Sequence, residues 1–341
     1  MIFQKLVEYY INQNWPFRAQ LELTKSCNFK CLHCYQMNRS TTKVKDPLLR
    51  FESWNKLLHS LQKNKIIFVR LTGGEPTLHP DFCKIYKMAK KLGLKVEIQT
   101  NGSLLKNEKI IDTLTQYIPR LVRISIYGFS KETYETFCKK GKYFDYVING
   151  INELKERKIP LKLILVVTRE NLQDSERVME YCQTYELNTQ VHFSLINSLD
   201  SNNIILDHSV NRMDLLEHPS NFPFLTKMIM EQEQLHKKLT LWENDAKVCW
   251  GGSLSTYIDE NHNMFLCPSF RKNSVSLKEV SFEKAWQQMR DLRRKVILKP
   301  NPCTLCTHRN FCGKCSPFFE GVKDLDLLMN HTNCLNKRTI I

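Results

Sequence analysis

The sequence predicts an α/β protein built on a parallel sheet, either open or closed into a partial barrel, followed by a small irregular cysteine-rich domain. Three observations carry this. Short β-branched runs alternate with longer stretches of helical period from residue 17 to about 200, the alternation then stops, and seven of the 13 cysteines fall within residues 249–334. Strands are expected at 18–24, 66–72, 95–100, 121–127, 161–167 and 190–196, where apolar residues alternate or cluster in short runs. Helices are expected at 51–63, 82–92, 108–117, 143–157 and 174–185, where apolar residues recur every three or four positions. Strand-then-helix units in series imply right-handed crossovers and a parallel sheet. In such sheets the functional residues sit in the loops after the carboxyl ends of the strands.

Past residue 200 the composition shifts to Ser, Asn, His and Pro, as in Ser201-Asn202-Asn203 and His218-Pro219-Ser220-Asn221, which marks a linker or irregular lid. A helix is expected at 225–239, a hairpin at 254–258 and 264–267, and a last helix at 282–295. The chain divides at 1–200, 201–248 and 249–341.

Composition narrows the function classes. An apolar content of 42% and a charged content of 25% suit a chain with a buried core. Thirteen is odd, so a fully paired disulfide framework within one chain is excluded. No run of about 18 apolar residues is present, so no membrane span is expected. Glu8, Asn12 and Asn14 interrupt any signal-peptide core, and the chain reads as cytoplasmic. The formal charge of +15 comes without basic runs interleaved with aromatics, so no nucleic-acid partner is expected.

Cys27, Cys31 and Cys34 form C-x3-C-x2-C directly after the first strand. Three thiolates so spaced can hold an iron–sulfur cluster, and a zinc site completed by His33 is the alternative. The segment Cys27-Asn28-Phe29-Lys30-Cys31-Leu32-His33-Cys34-Tyr35 resembles the signature of radical S-adenosylmethionine (radical SAM) enzymes, whose three cysteines hold a [4Fe–4S] cluster with SAM on the fourth iron. The resemblance implies a partial (β/α)6 TIM-like barrel. Gly73-Gly74-Glu75-Pro76-Thr77 after the second strand resembles the family's glycine-rich motif, which holds the methionyl amino group of SAM. Glycine suits a backbone that must approach a ligand closely. Thr100, Asn101 and Ser125 match positions that contact the ribose and carboxylate of SAM in relatives, and Val166 and Asn171 lie where relatives line the adenine pocket.

Cys249, Cys267, Cys303, Cys306, Cys312, Cys315 and Cys334 resemble the SPASM extension shared by maturases of peptides and proteins. Carried over position by position, Cys249, Cys267 and Cys315 would hold one auxiliary [4Fe–4S] cluster, and Cys303, Cys306, Cys312 and Cys334 a second. A zinc ribbon is the alternative use of four of them. Asn261-His262-Asn263 stands where the family usually has Gly four residues before the second cysteine, and the last spacing of the run is x2 where x3 is commoner. No cysteine immediately precedes Cys249, so Glu243, Asp245, water or substrate is left to complete the first auxiliary cluster. Ten thiolates on three clusters would lower the net charge to about +11.

The resemblance implies a maturase that cleaves SAM reductively and uses the 5′-deoxyadenosyl radical to abstract hydrogen from a ribosomally made precursor peptide, giving a crosslink or similar modification. It also implies an electron donor such as flavodoxin or ferredoxin. Twenty-six residues precede Cys27, too few for the leader-binding domain of many peptide maturases, so leader recognition is expected to need a separate leader-binding protein or the basic surface itself. An anaerobic sulfatase-type protein maturase is a second reading, disfavoured by Pro268 where that branch places an Asp base. A non-catalytic zinc or iron–sulfur module is a third. Tyr127, Glu97, Gln99, His192 and Asp259 are candidate pocket residues, with no catalytic acid or base assigned. Cys83 and Cys182 read as core, and Cys138 as more exposed.

Overall fold

The computed structural model describes residues 2–36, 50–193, 195, 208–210, 212–238, 250–271 and 273–296, with side chains for all of these except 2, 212–214 and 232–238. The expected α/β partial barrel is present. Six parallel strands, β1 (Arg18–Glu22), β2 (Phe68–Thr72), β3 (Lys95–Thr100), β4 (Leu121–Ile126), β5 (Leu161–Val166) and β6 (Thr189–His192), pair in sequence order. Between them run α2 (Phe51–Lys63), α3 (Phe82–Lys91), α4 (Glu108–Gln116), α5 (Lys131–Cys138), α6 (Phe144–Glu156) and α7 (Leu172–Thr184), while α1 (Ile2–Gln13) precedes the first strand. The α5 helix was not expected. It has eight residues and a single polar cap, Ser130, whose hydroxyl accepts from the Thr133 amide at 3.1 Å.

Strand alternation sorts the side chains. Ala19, Leu21, Val69, Leu71, Val96, Ile98, Val122 and Ile124 are fully buried under the helices. On α2, Trp54, Leu57, Leu58 and Leu61 answer them at helical spacing. Burial stabilises each such leucine by about 2 kcal/mol. The opposite strand faces line the barrel lumen and are polar, with Gln20, Arg70, Glu97, Gln99 and Arg123 among them. The amino-terminal end of the barrel is plugged by a separate apolar cluster. There Val7 and Tyr10 of α1 meet Phe17, Phe68 and Leu254, and the Phe17 ring packs edge-on against Trp250 at 5.5 Å.

The hairpin expected at 254–267 forms, and it extends the main sheet. β7 (Ser255–Ile258) pairs in parallel with β1, with Arg18 opposite Ser255 and Leu21 opposite Ile258. β8 (Asn263–Phe265) and β9 (Val275–Ser276) follow antiparallel, giving the order β6-β5-β4-β3-β2-β1-β7-β8-β9. α10 (Phe282–Val296) packs beneath, where the Trp286 indole donates to the Asn14 carbonyl at 2.9 Å and Arg293 to the Gly251 carbonyl at 2.9 Å. The stretch read as a linker contains α8 (Arg212–Glu217), ahead of α9 (Pro223–Lys238). Leu225 and Ile229 of α9 are fully buried, and the Glu176 carboxylate of α7 accepts from the Phe224 and Leu225 amides. Among the described residues no helix is long and apolar enough to cross a membrane.

The turn between β7 and β8 carries a testable electrostatic feature. His262 adopts a left-handed backbone (φ 63°), and its ring lies 4.8 Å from that of Trp54. Burial, with Lys278 nearby, pushes the imidazole down to about 4 from 6.5. The unfolded chain therefore takes up this proton first. The contribution is fully present above pH 6.5 and is lost as the pH falls toward 4, up to about 3 kcal/mol in all. Asn tolerates the left-handed conformation, so His262→Asn should flatten this part of the stability profile. Denaturant midpoints between pH 7 and 4.5 check it, and equal acid-side slopes for the two proteins would refute it.

Candidate functional site

The loop after β1 carries Cys27, Cys31 and Cys34 at 5%, 9% and 7% exposure. Two of the sulfurs already receive backbone donors: the Phe29 amide lies 3.4 Å from Cys27 Sγ and the Gln36 amide 3.3 Å from Cys34 Sγ. The third, Cys31 Sγ, is hydrogen-bonded to the Tyr127 hydroxyl at 3.3 Å. Burial pushes the Cys31 thiol well up, the neighbouring Cys138, Cys27 and Cys34 add to it, and the Tyr127 hydroxyl opposes them. The Cys31 thiol in this setting holds its proton until a cation displaces it. Once they are thiolates, the two amides and the phenol are donors already in place.

Three attachments fix this loop, two of them through the backbone. The Gly74 amide donates to the Thr24 carbonyl at 2.7 Å, and the Glu75 amide to the Ser26 carbonyl at 2.8 Å. On the other side, the Lys30 amide donates to the Cys138 carbonyl at 3.0 Å and the Leu32 amide to the Phe137 carbonyl at 2.9 Å, at the carboxyl end of α5. The third attachment joins side chains. Asn101 Nδ2 donates to Asn28 Oδ1 at 2.8 Å, Asn28 Nδ2 to the Ser103 hydroxyl at 2.8 Å, and that hydroxyl to Asn101 Oδ1 at 2.7 Å.

The two glycines are required by the first attachment. A Cβ on Gly73, whose φ is +154°, would lie 2.4 Å from the Thr24 carbonyl oxygen, and one on Gly74 would lie 2.2 Å from that of Ser26. These glycines approach the backbone between β1 and the cysteines. Glu75 is likewise turned inward at 0% exposure. One of its oxygens accepts from the Thr77 amide and hydroxyl and from the Thr100 hydroxyl at 2.7 Å, and the other from the Asn101 amide at 2.7 Å. Burial lifts this carboxyl above its ordinary range, and those hydrogen bonds oppose the rise. Glu75 therefore braces the β2 and β3 loops against each other.

The remaining expected site residues separate into two groups. Ser125 and Val166 are partly exposed on the lumen face, with the Ser125 hydroxyl accepting from Gln99 at 3.3 Å. Asn171 is 1% exposed, and its amide group serves the backbone of Thr168, Tyr127 and Val166 at 2.7–2.9 Å. Asp259 caps the β7–β8 turn through the Asn261 and Asn263 amides, and Glu97 lies within an arginine cluster. His192 stands on the edge strand β6. Cys138 is fully buried and its thiol is pushed up to about 12 by burial, so the expected exposure is corrected: the cysteine closes α5 against the loop. Cys182 is core as expected, and Cys83 is partly buried. Cys267 follows β8 and bridges to Phe270, while Cys249, Cys303, Cys306, Cys312, Cys315 and Cys334 lie outside the described residues.

Sequence reasoning missed the coupling of the hairpin to the mouth of the site. Glu22, at 0% exposure, accepts from Gln36 at 2.6 Å and pairs with Arg271 at 2.6 Å, and Arg271 also donates to the Tyr257 hydroxyl at 2.9 Å. Thus the last residue of β1 joins the end of the cysteine loop to the segment just after Cys267. The polar alternation Arg18, Gln20, Glu22 was the available signal.

The donor set fits a cluster better than a single ion. Among the described residues no three His, Cys, Asp or Glu side chains converge on one ion position. A cubane takes one thiolate at each of three irons, whereas zinc needs its ligands around one point. The His33 ring packs against Tyr127 and Phe137 at 5.8 and 5.1 Å.

Comparison with known proteins agrees. Residues 21–182 match the Radical SAM superfamily, so the chain carries a radical SAM domain. The AdoMet-dependent heme synthase of Methanosarcina barkeri is 23% identical over 323 residues, covering 89% of this chain and 91% of the relative. A probable GTP 3',8-cyclase of Saccharolobus solfataricus is 31% identical over 175 residues, and the match spans about half of each protein, 51% and 54%. Among solved structures, Streptococcus suis SuiB bound to S-adenosylmethionine has a TM-score of 0.67 at 16% identity, covering 88% of this chain and 72% of that one. Native anSMEcpe with bound AdoMet has a TM-score of 0.65 at 18% identity, covering 88% and 89%. At these identities the structural likeness is one of fold.

The glycine requirement gives a direct test. In Gly74→Ala the new methyl group meets backbone that cannot step aside, so the loop should shift, with a loss of about 1–3 kcal/mol and most of the iron after reconstitution. Gly93→Ala, where nothing lies within 4 Å, should keep its iron despite a φ of +78°. Iron and sulfide analysis checks both, and full iron retention in Gly74→Ala would contradict the clamp.

Proposed function

We propose that this chain is a radical SAM maturase in which Cys27, Cys31 and Cys34 hold a [4Fe–4S] cluster and a ribosomally made precursor peptide is the substrate. The observation that carries the reading is the buried three-cysteine loop, clamped by Gly73-Gly74-Glu75 at the carboxyl end of the sheet. When bound, the cluster and SAM supply a one-electron cleavage that yields methionine and a 5′-deoxyadenosyl radical, which takes a hydrogen atom from the substrate. The chain's own part is to hold and isolate these groups. The Phe29 and Gln36 amides and the Tyr127 hydroxyl hydrogen-bond the sulfurs. Phe29, Tyr134 and Phe137 pack around Tyr127 and keep water from that side. Ser125 and Val166 offer partly exposed surface for the ribose and adenine of SAM, and Gly73, Gly74, Glu75, Thr100, Asn101 and Asn171 shape the loops around it.

The seven C-terminal cysteines support, by resemblance, two auxiliary [4Fe–4S] clusters in a SPASM-type domain over 249–341, joined to the 1–200 core through 201–248. Solved relatives in fold include SuiB bound to its precursor peptide SuiA, with a TM-score of 0.68, which favours a peptide substrate. The proposal includes an electron donor of the flavodoxin or ferredoxin type and a cytoplasmic setting. A second reading, a small-molecule substrate such as a heme precursor for the same SAM chemistry, is favoured by one observation: likeness to the heme synthase runs through nearly the whole of both chains.

Anaerobic reconstitution tests the proposal. The wild type should bind about twelve irons per chain and form 5′-deoxyadenosine from SAM under a strong reductant. Cys31→Ala should lose about four irons and SAM cleavage together. Zinc in place of iron, or full iron without cleavage, would overturn the assignment.

A further inference from the structure

The lumen face of the barrel carries more positive charge than its carboxylates balance. Arg70 holds the Glu97 carboxylate at 2.8 Å, Arg120 shares it, and Arg18 approaches to 3.6 Å, so three guanidinium groups surround one carboxylate. Burial would raise the Glu97 carboxyl, but Arg70, Arg18 and Arg120 together hold it below its ordinary range. Glu22 is already taken by Arg271. Neither of these carboxylates forms an ion pair with the next row of side chains, although the Glu97 charge reaches it.

That row is set by the strand register. Gln99 of β3 stands opposite Arg123 of β4, and Arg123 stands opposite Lys162 of β5. Arg123 donates to Gln99 Oε1 at 3.2 Å and to Gln190 Oε1 at 2.6 Å, both neutral acceptors. Neither Arg123 nor Lys162 has an ion-pair partner among the described residues. Like charges directly opposite on adjacent strands destabilise a sheet, and a desolvated charge whose hydrogen bonds go only to neutral acceptors is costly. Burial, followed by the Arg70 charge, pushes the Arg123 guanidinium down to about 10, and burial with Arg123 lowers Lys162, while the Glu97 carboxylate opposes both shifts. Two residues nearer the carboxyl end, on the same face, lies Ser125, opposite Ile164 and in line with Gln190.

We propose that Arg123 and Lys162, with Gln99 and Gln190 beside them and below the Ser125 surface offered to SAM, form a subsite for a carboxylate group of the substrate. The inference rests on the reading that SAM occupies the strand ends above it, and it names the substrate class for that site. A planar guanidinium presents paired N–H donors that match a carboxylate. A peptide with an acidic side chain and a small organic acid share this chemistry. The lumen would thus anchor the substrate's anionic end and leave its reacting carbon toward the cysteine loop.

The test uses the full reconstituted chain and glutarate as probe, with sodium chloride at matched ionic strength as control. The melting temperature of the wild type should rise by about 2–4 °C with glutarate over chloride. Arg123→Gln should melt higher than the wild type without glutarate, because a burdensome charge is gone, and should not respond to glutarate. Arg123→Lys should retain a response, and Lys162→Gln should reduce it. A lower melting temperature for Arg123→Gln, or equal responses to glutarate and chloride, would overturn the proposal. Saturating SAM is the remaining arm. If SAM abolishes the glutarate response, the subsite belongs to the carboxylate of SAM and the substrate assignment fails; if the response survives, an N-acetylated glutamyl peptide competing more strongly than glutarate selects the peptide source. Failure of SAM cleavage would sink the radical SAM reading while leaving the glutarate titration readable.

Discussion

Everything at this site depends on a close contact between two loops that side chains larger than hydrogen would prevent. The backbone after β2 comes within hydrogen-bond reach of the backbone after β1, and the Gly74 and Glu75 amides seize the Thr24 and Ser26 carbonyls there. The cysteines begin one residue later. Their position is therefore fixed from the sheet, with α5 and the Asn28–Ser103–Asn101 network holding the far side. A loop held at both ends by backbone bonds presents its sulfurs without first ordering the chain, which lowers the entropy cost of assembling a cluster.

Burial divides the polar groups of the barrel into two roles. Glu75, Asn171 and Asp259 are buried with their acceptors occupied by neighbouring amides and hydroxyls, so they set the shape of loops. Ser125, Gln99 and Arg123 face the lumen with capacity remaining, and there the charge is positive. The same alternation that buries Leu71 and Ile98 under helices puts Arg70 and Gln99 inside the barrel. The Glu22–Arg271 pair then ties the lumen rim to the hairpin, so the segment around Cys267 is held by the sheet as well as by its own turns.

The six strand–helix units were legible because period-2 and period-3.6 apolar patterns are local, and α2 at 51–63 matches residue for residue. The cysteine triplet and the Gly-Gly-Glu turn were legible as motifs. Three things were not. The short α5 depends on packing of Tyr134 and Phe137 around Tyr127 more than on its own propensity. The parallel pairing of β7 with β1 joins residues more than 230 positions apart, which no local pattern can announce. The third is the set of tertiary partners of the polar side chains: Glu75 accepts from Thr100 and Asn101, and Asn171 donates to the Tyr127 carbonyl, across loops distant in sequence. Tyr127, read as a pocket residue, is instead 4% exposed beside Cys31, because the loop folds over the strand end.

The central claim is that the clamp exists before any cluster is bound, and amide hydrogen exchange on the iron-free protein measures it most directly. The Gly74, Glu75, Lys30 and Leu32 amides should be protected at a level close to that of the β2 and β3 strand amides, with or without iron. Rapid exchange of these four in the iron-free chain, slowing only after reconstitution, would mean that the cluster organises the loop and would contradict the account.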